Sequence, residues 1–174
     1  MKWFLLVLAV SLALLAIVIV VGVLLPKAHR ASRSAKLGQS PEIVWAAITE
    51  DSKFPEWRKT VTRVEALPPV DGKPSWREFD SRGGSIPFVV LESVAPKRLV
   101  TRIADAKLPF GGTWTFDVSA APDGRSVIRI TEDGEVYNPV FRFVSRFLMG
   151  YTATIDAYLC ALGSKFGESI TPEN

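Results

Sequence analysis

Two hydrophobic rhythms divide the chain. Residues 3–25 read WFLLVLAVSLALLAIVIVVGVLL, an apolar run without a charge whose only hydroxyl is Ser11. At 1.5 Å rise per residue such a helix covers about 34 Å, enough for the ~30 Å hydrocarbon core of a bilayer with some tilt. A secretory signal has a shorter apolar core, about 7–15 residues, and ends near a small-x-small site. This run is longer and stops at Pro26-Lys27, which favours an uncleaved transmembrane anchor over residues 1–26. After it, apolar positions come in short alternating stretches. Strands are expected at 28–38, 60–67, 75–82, 86–94, 98–104, 112–120 and 125–137, separated by breakers such as PPVDGKP, Gly83-Gly84, APKR, PFGG and PDGR. SPEIVWAAITE reads as a helix with Ser40 as N-cap and Pro41 at its first position, and DSKFPEW as a second short helix broken at Pro55.

A third rhythm closes the chain. From Asn138-Pro139 to about Gly167, apolar residues recur at Val140, Val144, Phe147, Leu148, Tyr151, Ile155, Tyr158, Leu159, Leu162 and Phe166. Steps of three and four make one stripe on a single long helix. The expected class is therefore α+β: an N-terminal transmembrane helix, then a curved antiparallel sheet of about seven strands wrapped on a long C-terminal helix. A bent sheet cannot touch a straight helix along its whole length, so an apolar cavity is expected between them. Residues 27–170 form this domain, and 171–174 are expected as a disordered tail.

Charge changes the picture little. Of the 21 Lys and Arg only Lys2 precedes residue 27, leaving 20 bases against 18 acids in the domain, too even a balance to point to nucleic acid. Lys27, Arg30, Arg33 and Lys36 follow the span, and the positive-inside rule then favours a cytoplasmic domain, unless Arg30, Arg33 and Lys36 belong to the first strand and carry little topological weight. Cys160 is the one cysteine, read as a small packed residue, and His29 the one histidine. No zinc pattern is available, neither metal nor cofactor is expected, and a Ser-His-Asp triad is improbable with His29 three residues past the span.

The acidic stretch ITEDGEVY carries the chemistry on offer. Strand parity sends Ile128, Ile130 and Glu132 inward, and Asp133-Gly134 then interrupts the alternation as a β-bulge does. Asp133 and Glu135 are accounted for by the helix start that follows. An inward Glu132 in an apolar pocket has a raised pKa, which suits a ligand contact or proton transfer, though it equally suits a structural hydrogen bond. Trp45, Trp76, Phe88, Trp114, Phe116, Phe143 and Phe147 supply the interior, with Trp114 and Phe116 best placed to line the cavity. Leu148, Tyr151, Ile155 and Tyr158 face it from the helix, the tyrosines offering hydroxyls to a ligand head group. Arg142 and Arg146, with Lys165, form a polar helix face suited either to solvent or to anionic lipid heads.

Four stretches carry a family resemblance: SPEIVWAAITEDSKFPEW, ESVAPKRLVTRI, GGTWTFDV and the segment from Ile130 to Glu168. Together they resemble the START-like, helix-grip superfamily known as SRPBCC, in its polyketide cyclase/dehydrase and lipid transport branch. The resemblance implies a helix-grip fold around a hydrophobic ligand cavity and fixes no reaction. The leading expectation is a single-pass cell-membrane protein that binds, carries or senses a hydrophobic small molecule, a lipid above all. The rivals are a cyclase-like enzyme using Glu132 with Tyr151 or Tyr158, and a membrane-assembly adaptor without a ligand.

Overall fold

The computed structural model describes residues 2–174. Helix α1 (Lys2–Leu24) is apolar all round, and is long and apolar enough to cross a membrane. Three residues lead from it into β1 (Ala28–Leu37). Next come α2 (Pro41–Thr49), a 3₁₀ turn (Asp51–Lys53) and α3 (Phe54–Trp57). Pro41 occupies the first turn of α2, as expected, whereas Pro55 opens α3 instead of breaking it. Six strands follow: β2 (Arg63–Val70), β3 (Lys73–Phe79), β4 (Ser85–Val94), β5 (Arg98–Ile103), β6 (Phe110–Ala120) and β7 (Ser126–Val136). All seven strands form one antiparallel sheet in the order β1-β7-β6-β5-β4-β3-β2.

The β2–β3 hairpin shows how local chemistry sets a boundary. The strand runs on through Leu67-Pro68-Pro69, which the sequence suggests as a breaker, and the turn falls at Asp71-Gly72. Both residues have positive φ, 52° and 74°, the backbone that an Asp-Gly two-residue turn needs.

Three expectations need correction. No bulge exists at Asp133-Gly134: β7 keeps an unbroken register with β1 and with β6. Ile128, Ile130, Gly134 and Val136 all face in by plain alternation with Glu132. Second, the closing helix is not continuous. Asn138 caps α4 (Pro139–Val144) by accepting from the backbone N–H groups of Val140 and Phe141. A π-helical turn (Ser145–Met149) follows, and Gly150 at φ 77° breaks the path before α5 (Ala153–Lys165). Third, the tail is tied down at Glu173, whose backbone exchanges two 2.8 Å hydrogen bonds with Ser34 of β1.

The core lies between the sheet and α5. Ile155, Leu159 and Leu162 are fully buried against Leu37, Val44, Ile128 and Ile130 in one cluster. Next to them Tyr158 sits among Trp57, Trp114 and Phe116, with ring centroids 5.3–5.8 Å away. This packing fills space that sequence reasoning assigns to a cavity: Ile155 has no free surface, so it borders no water-sized void. Cys160, expected to be packed, is exposed instead.

Candidate functional site

Strand pairing brings the ends of the domain together. In β1 the inward parity that buries Ala31, Ala35 and Leu37 also turns His29 inward, and β1 pairs with β7 so that His29 lies opposite Gly134 and Ala31 opposite Glu132. The imidazole occupies the space over Gly134, where a Cβ would run into its ring. Gly134 is needed here for room. Its neighbour across the ladder, Gly112, is needed for backbone as well, with φ 127° and the Asp133 carbonyl where a side chain would begin.

With that space open, four side chains converge. His29 Nε2 lies 3.7 Å from Glu132 Oε1, and the Thr154 hydroxyl donates to Glu132 Oε2 across 3.4 Å. Tyr151 stacks on the imidazole with 4.1 Å between centroids and an 11° interplanar angle. Glu132 is 18% exposed and His29 10%. Burial raises the Glu132 carboxyl above its ordinary value, opposed by hydrogen bonds from Trp114 and Thr154, and burial lowers the His29 imidazole below its own. Both shifts are in the direction that favours the neutral forms, a carboxyl and an imidazole facing each other at 3.7 Å. The buried Nδ1 of His29 has no hydrogen-bond partner among the described residues.

This cluster backs onto a concavity of about 350 Å³ lined by Leu25, Pro26, Ala28, His29, Arg30, Arg146 and Tyr151. The Arg146 guanidinium stands 5.8 Å from the Tyr151 ring, which sets a cation at the opening; Arg30 on the same wall pairs with Asp133 at 3.3 Å. A second concavity, about 470 Å³, is formed by Lys36, Val127 and the β6–β7 turn and touches none of these groups.

Of the side chains expected at the site, the structure unites Glu132 with Trp114 and, through His29, with Tyr151. Phe116, Ile155 and Tyr158 belong to the packed core, and burial pushes the Tyr158 hydroxyl well up. Leu148 is 74% exposed and Phe147 is also exposed, because the π turn and Gly150 swing this segment off the stripe. Arg142 is only 6% exposed and is no lipid-facing partner of Arg146: it donates to the carbonyls of Leu25 (2.9 Å), Val23 (3.4 Å) and Tyr137 (3.3 Å), closing the C-terminus of α1. Lys165 lies at the opposite end of α5 from Thr154. His29 and Thr154 are the residues sequence reasoning missed. The readable signal for His29 was its shared parity with Ala31, Ala35 and Leu37.

Polar groups are set into the aromatic core at more than one place, Arg33–Asp156 at 3.0 Å between β1 and α5 among them. Another is Arg58–Glu78, paired at 2.7 Å with the Trp76 indole also donating to Glu78 at 3.2 Å. A single curved antiparallel sheet closed by a C-terminal helix, with such groups inside, defines a START-like helix-grip protein. Residues 28–159 match the family described as polyketide cyclase / dehydrase and lipid transport, and the chain belongs to that family. Solved structures agree on the fold. A START superfamily protein from Mycobacterium smegmatis superposes with a TM-score of 0.62 at 17% identity, over 79% of this chain and 96% of that one. A protein from Thermobifida fusca gives 0.61 at 16% identity, over 79% and 93%. Norcoclaurine synthase from Thalictrum flavum gives 0.62 at 12% identity, over 81% and 87%. At these identities the likeness concerns the fold alone. No curated protein matches the sequence.

Proposed function

We propose that the protein is a membrane-tethered binding module that takes a lipid or similar apolar small molecule with a polar head. The observation that carries this reading is the position of the His29–Tyr151 concavity: its wall begins at Leu25-Pro26, where the apolar helix ends. A ligand that partitions into a bilayer meets the domain at this level. Arg146 offers a charge to an anionic head, and the His29–Tyr151 stack forms the wall beside it. Family membership supports a hydrophobic ligand. Positive charge at Lys27, Arg30, Arg33 and Lys36 supports a cytoplasmic domain. The test is native mass spectrometry of the full chain extracted in mild detergent. A bound lipid mass is expected, reduced more than tenfold in Tyr151→Ala with folding retained. A wild-type protein that carries no lipid when extracted, and takes none when incubated with phospholipid, overturns the reading.

A second reading is favoured by one observation, the convergence of His29 and Glu132 with opposed shifts. It is an enzyme of the cyclase or dehydrase kind in which a protonated Glu132 gives a proton to the substrate and a neutral His29 takes one from it. The same experiment separates the readings. In a carrier, Glu132→Gln retains the same bound species as wild type. In an enzyme it traps a different one, the unreacted substrate.

A further inference from the structure

Beside the end of α1 a set of large apolar side chains is left uncovered. Phe141, Phe147, Leu148 and Met149 are each about half exposed or more, and all lie on α4 and the π turn. The position of α4 relative to α1 is fixed by packing, and the π turn continues directly from α4. α4 lies against α1, and Val18, Val21, Gly22 and Leu25 are the α1-side residues that lose exposure. Spaced three, one and three residues apart, they form one face along the last two turns, about 10 Å of helix. Gly22 is buried, and a Cβ there would collide with the backbone of Pro139. Arg142 then clamps α4 to the carbonyls of Val23 and Leu25.

We infer that the segment from Phe141 to Met149 is a second membrane contact, seated in the interfacial layer of the same bilayer with Phe147, Leu148 and Met149 among the upper acyl chains. The inference rests on the tethered reading of α1. If α1 spans, its 23 residues cover about 34 Å against a hydrocarbon core of ~30 Å, so its last two turns lie in or at the edge of that core. Whatever packs against those turns shares their depth. Phe141, on α4, shares that depth, and the π turn that continues from α4 carries Phe147, Leu148 and Met149 out beside it; on this inference all four face acyl chains instead of water, while Arg146, on the same turn, reaches up to the phosphate layer. The opening lined by Arg146 and Tyr151 then sits at head-group height, where a lipid enters without crossing water.

The test uses the full chain in liposomes of phosphatidylcholine with a minor fraction of phosphatidylglycerol. Cys160 is replaced by serine, and single cysteines at Leu148, Leu12 or Asp123 carry an environment-sensitive fluorophore. The Leu148 label is expected to be quenched several-fold more than the Asp123 label by lipids with a shallow doxyl group, and to resist aqueous iodide. A Leu12 label quenched by deep doxyl beside a Leu148 label open to iodide overturns the inference and leaves the tether standing. A Leu12 label open to iodide overturns both. A Leu148 label shielded from iodide and from doxyl lipid alike means that protein, such as a second copy of the chain, covers the segment, and this also overturns the inference.

Discussion

Around Leu159 and Leu162 the sheet and α5 meet with no free surface, whereas around Glu132 the same sheet meets the first turn of the same helix through a histidine, a threonine and a tyrosine. The difference lies in how the chain arrives. Along α5 a regular helix sets Ile155, Leu159 and Leu162 on one buried face, and the sheet supplies Ile128 and Ile130 against it. At its start the chain has just left a π turn and passed Gly150, so no preceding turn of helix covers the sheet there. The gap is occupied by His29 and Tyr151 and opens to the concavity beside them. A break in one helix thus decides where the fold leaves a concavity beside its packed core.

The contrast can be broken most severely from the packed side. Leu159→Ala leaves a cavity in a filled region and is expected to lower the unfolding free energy by about 3 kcal/mol in urea titrations of the detergent-solubilised chain, in the range for buried leucines. Ile155→Trp overfills the same region and is expected to abolish cooperative unfolding altogether. A binding loss from Ile155→Trp with unchanged stability would mean that the core holds a ligand space after all. At the junction with α1, Arg142→Ala removes the donor to three carbonyls and is expected to cost about 2 kcal/mol. Limited proteolysis should then cut between residues 138 and 152 well before global unfolding; cleavage at the wild-type rate would show the clamp to be idle.

Smaller effects sharpen the polar side. Gly134→Ala pushes a methyl into the His29 ring and is expected to cost about 1–2 kcal/mol and to reduce lipid retention in native mass spectra. Equal retention would show that the imidazole need not sit where it does. The smallest change in stability, about 1 kcal/mol or less, is expected from Glu132→Gln, which keeps shape and hydrogen bonding. Its signature is in pH dependence. The Glu132 pKa is raised by burial, so its contribution is complete at pH values below the ordinary carboxylate value and is lost as pH rises through the raised one. The His29 pKa is lowered, so its contribution is present above the ordinary imidazole value near 6.5 and is lost as pH falls through the lowered one. Melting temperature followed from pH 4 to pH 8 should therefore lose its carboxylate component in Glu132→Gln and keep the histidine one. A variant curve parallel to wild type throughout would mean that Glu132 is not buried in solution.

Much of this was legible beforehand. Alternation located all seven strands, and parity alone turned Glu132 inward, because a strand's faces are written in its own sequence. The bulge at Gly134 was misread because glycine serves two ends: it can relax the backbone, or it can make room for a neighbour, and the neighbour here, His29, lies at the other end of the domain. The break at Gly150 was hidden by residues on both sides of it. Phe147, Leu148, Tyr151 and Ile155 keep helical spacing, yet the first two are exposed and face away from the core that holds Ile155. Apolar spacing does not distinguish a residue meant for the core from one left uncovered. Arg142 read as surface because its acceptors are backbone carbonyls, which no sequence pattern displays.

The clamp made by Arg142 bears on mechanics. Only Leu25, Pro26 and Lys27 separate α1 from β1, a leash of at most about 10 Å when fully drawn out, and α4 holds even that short joint closed. On the tethered reading the domain has almost no swing radius. It patrols one leaflet as a fixed outboard fitting and cannot reach across to a facing membrane. Anything it takes up must be handed to a partner that comes to it, or returned to the leaflet from which it came.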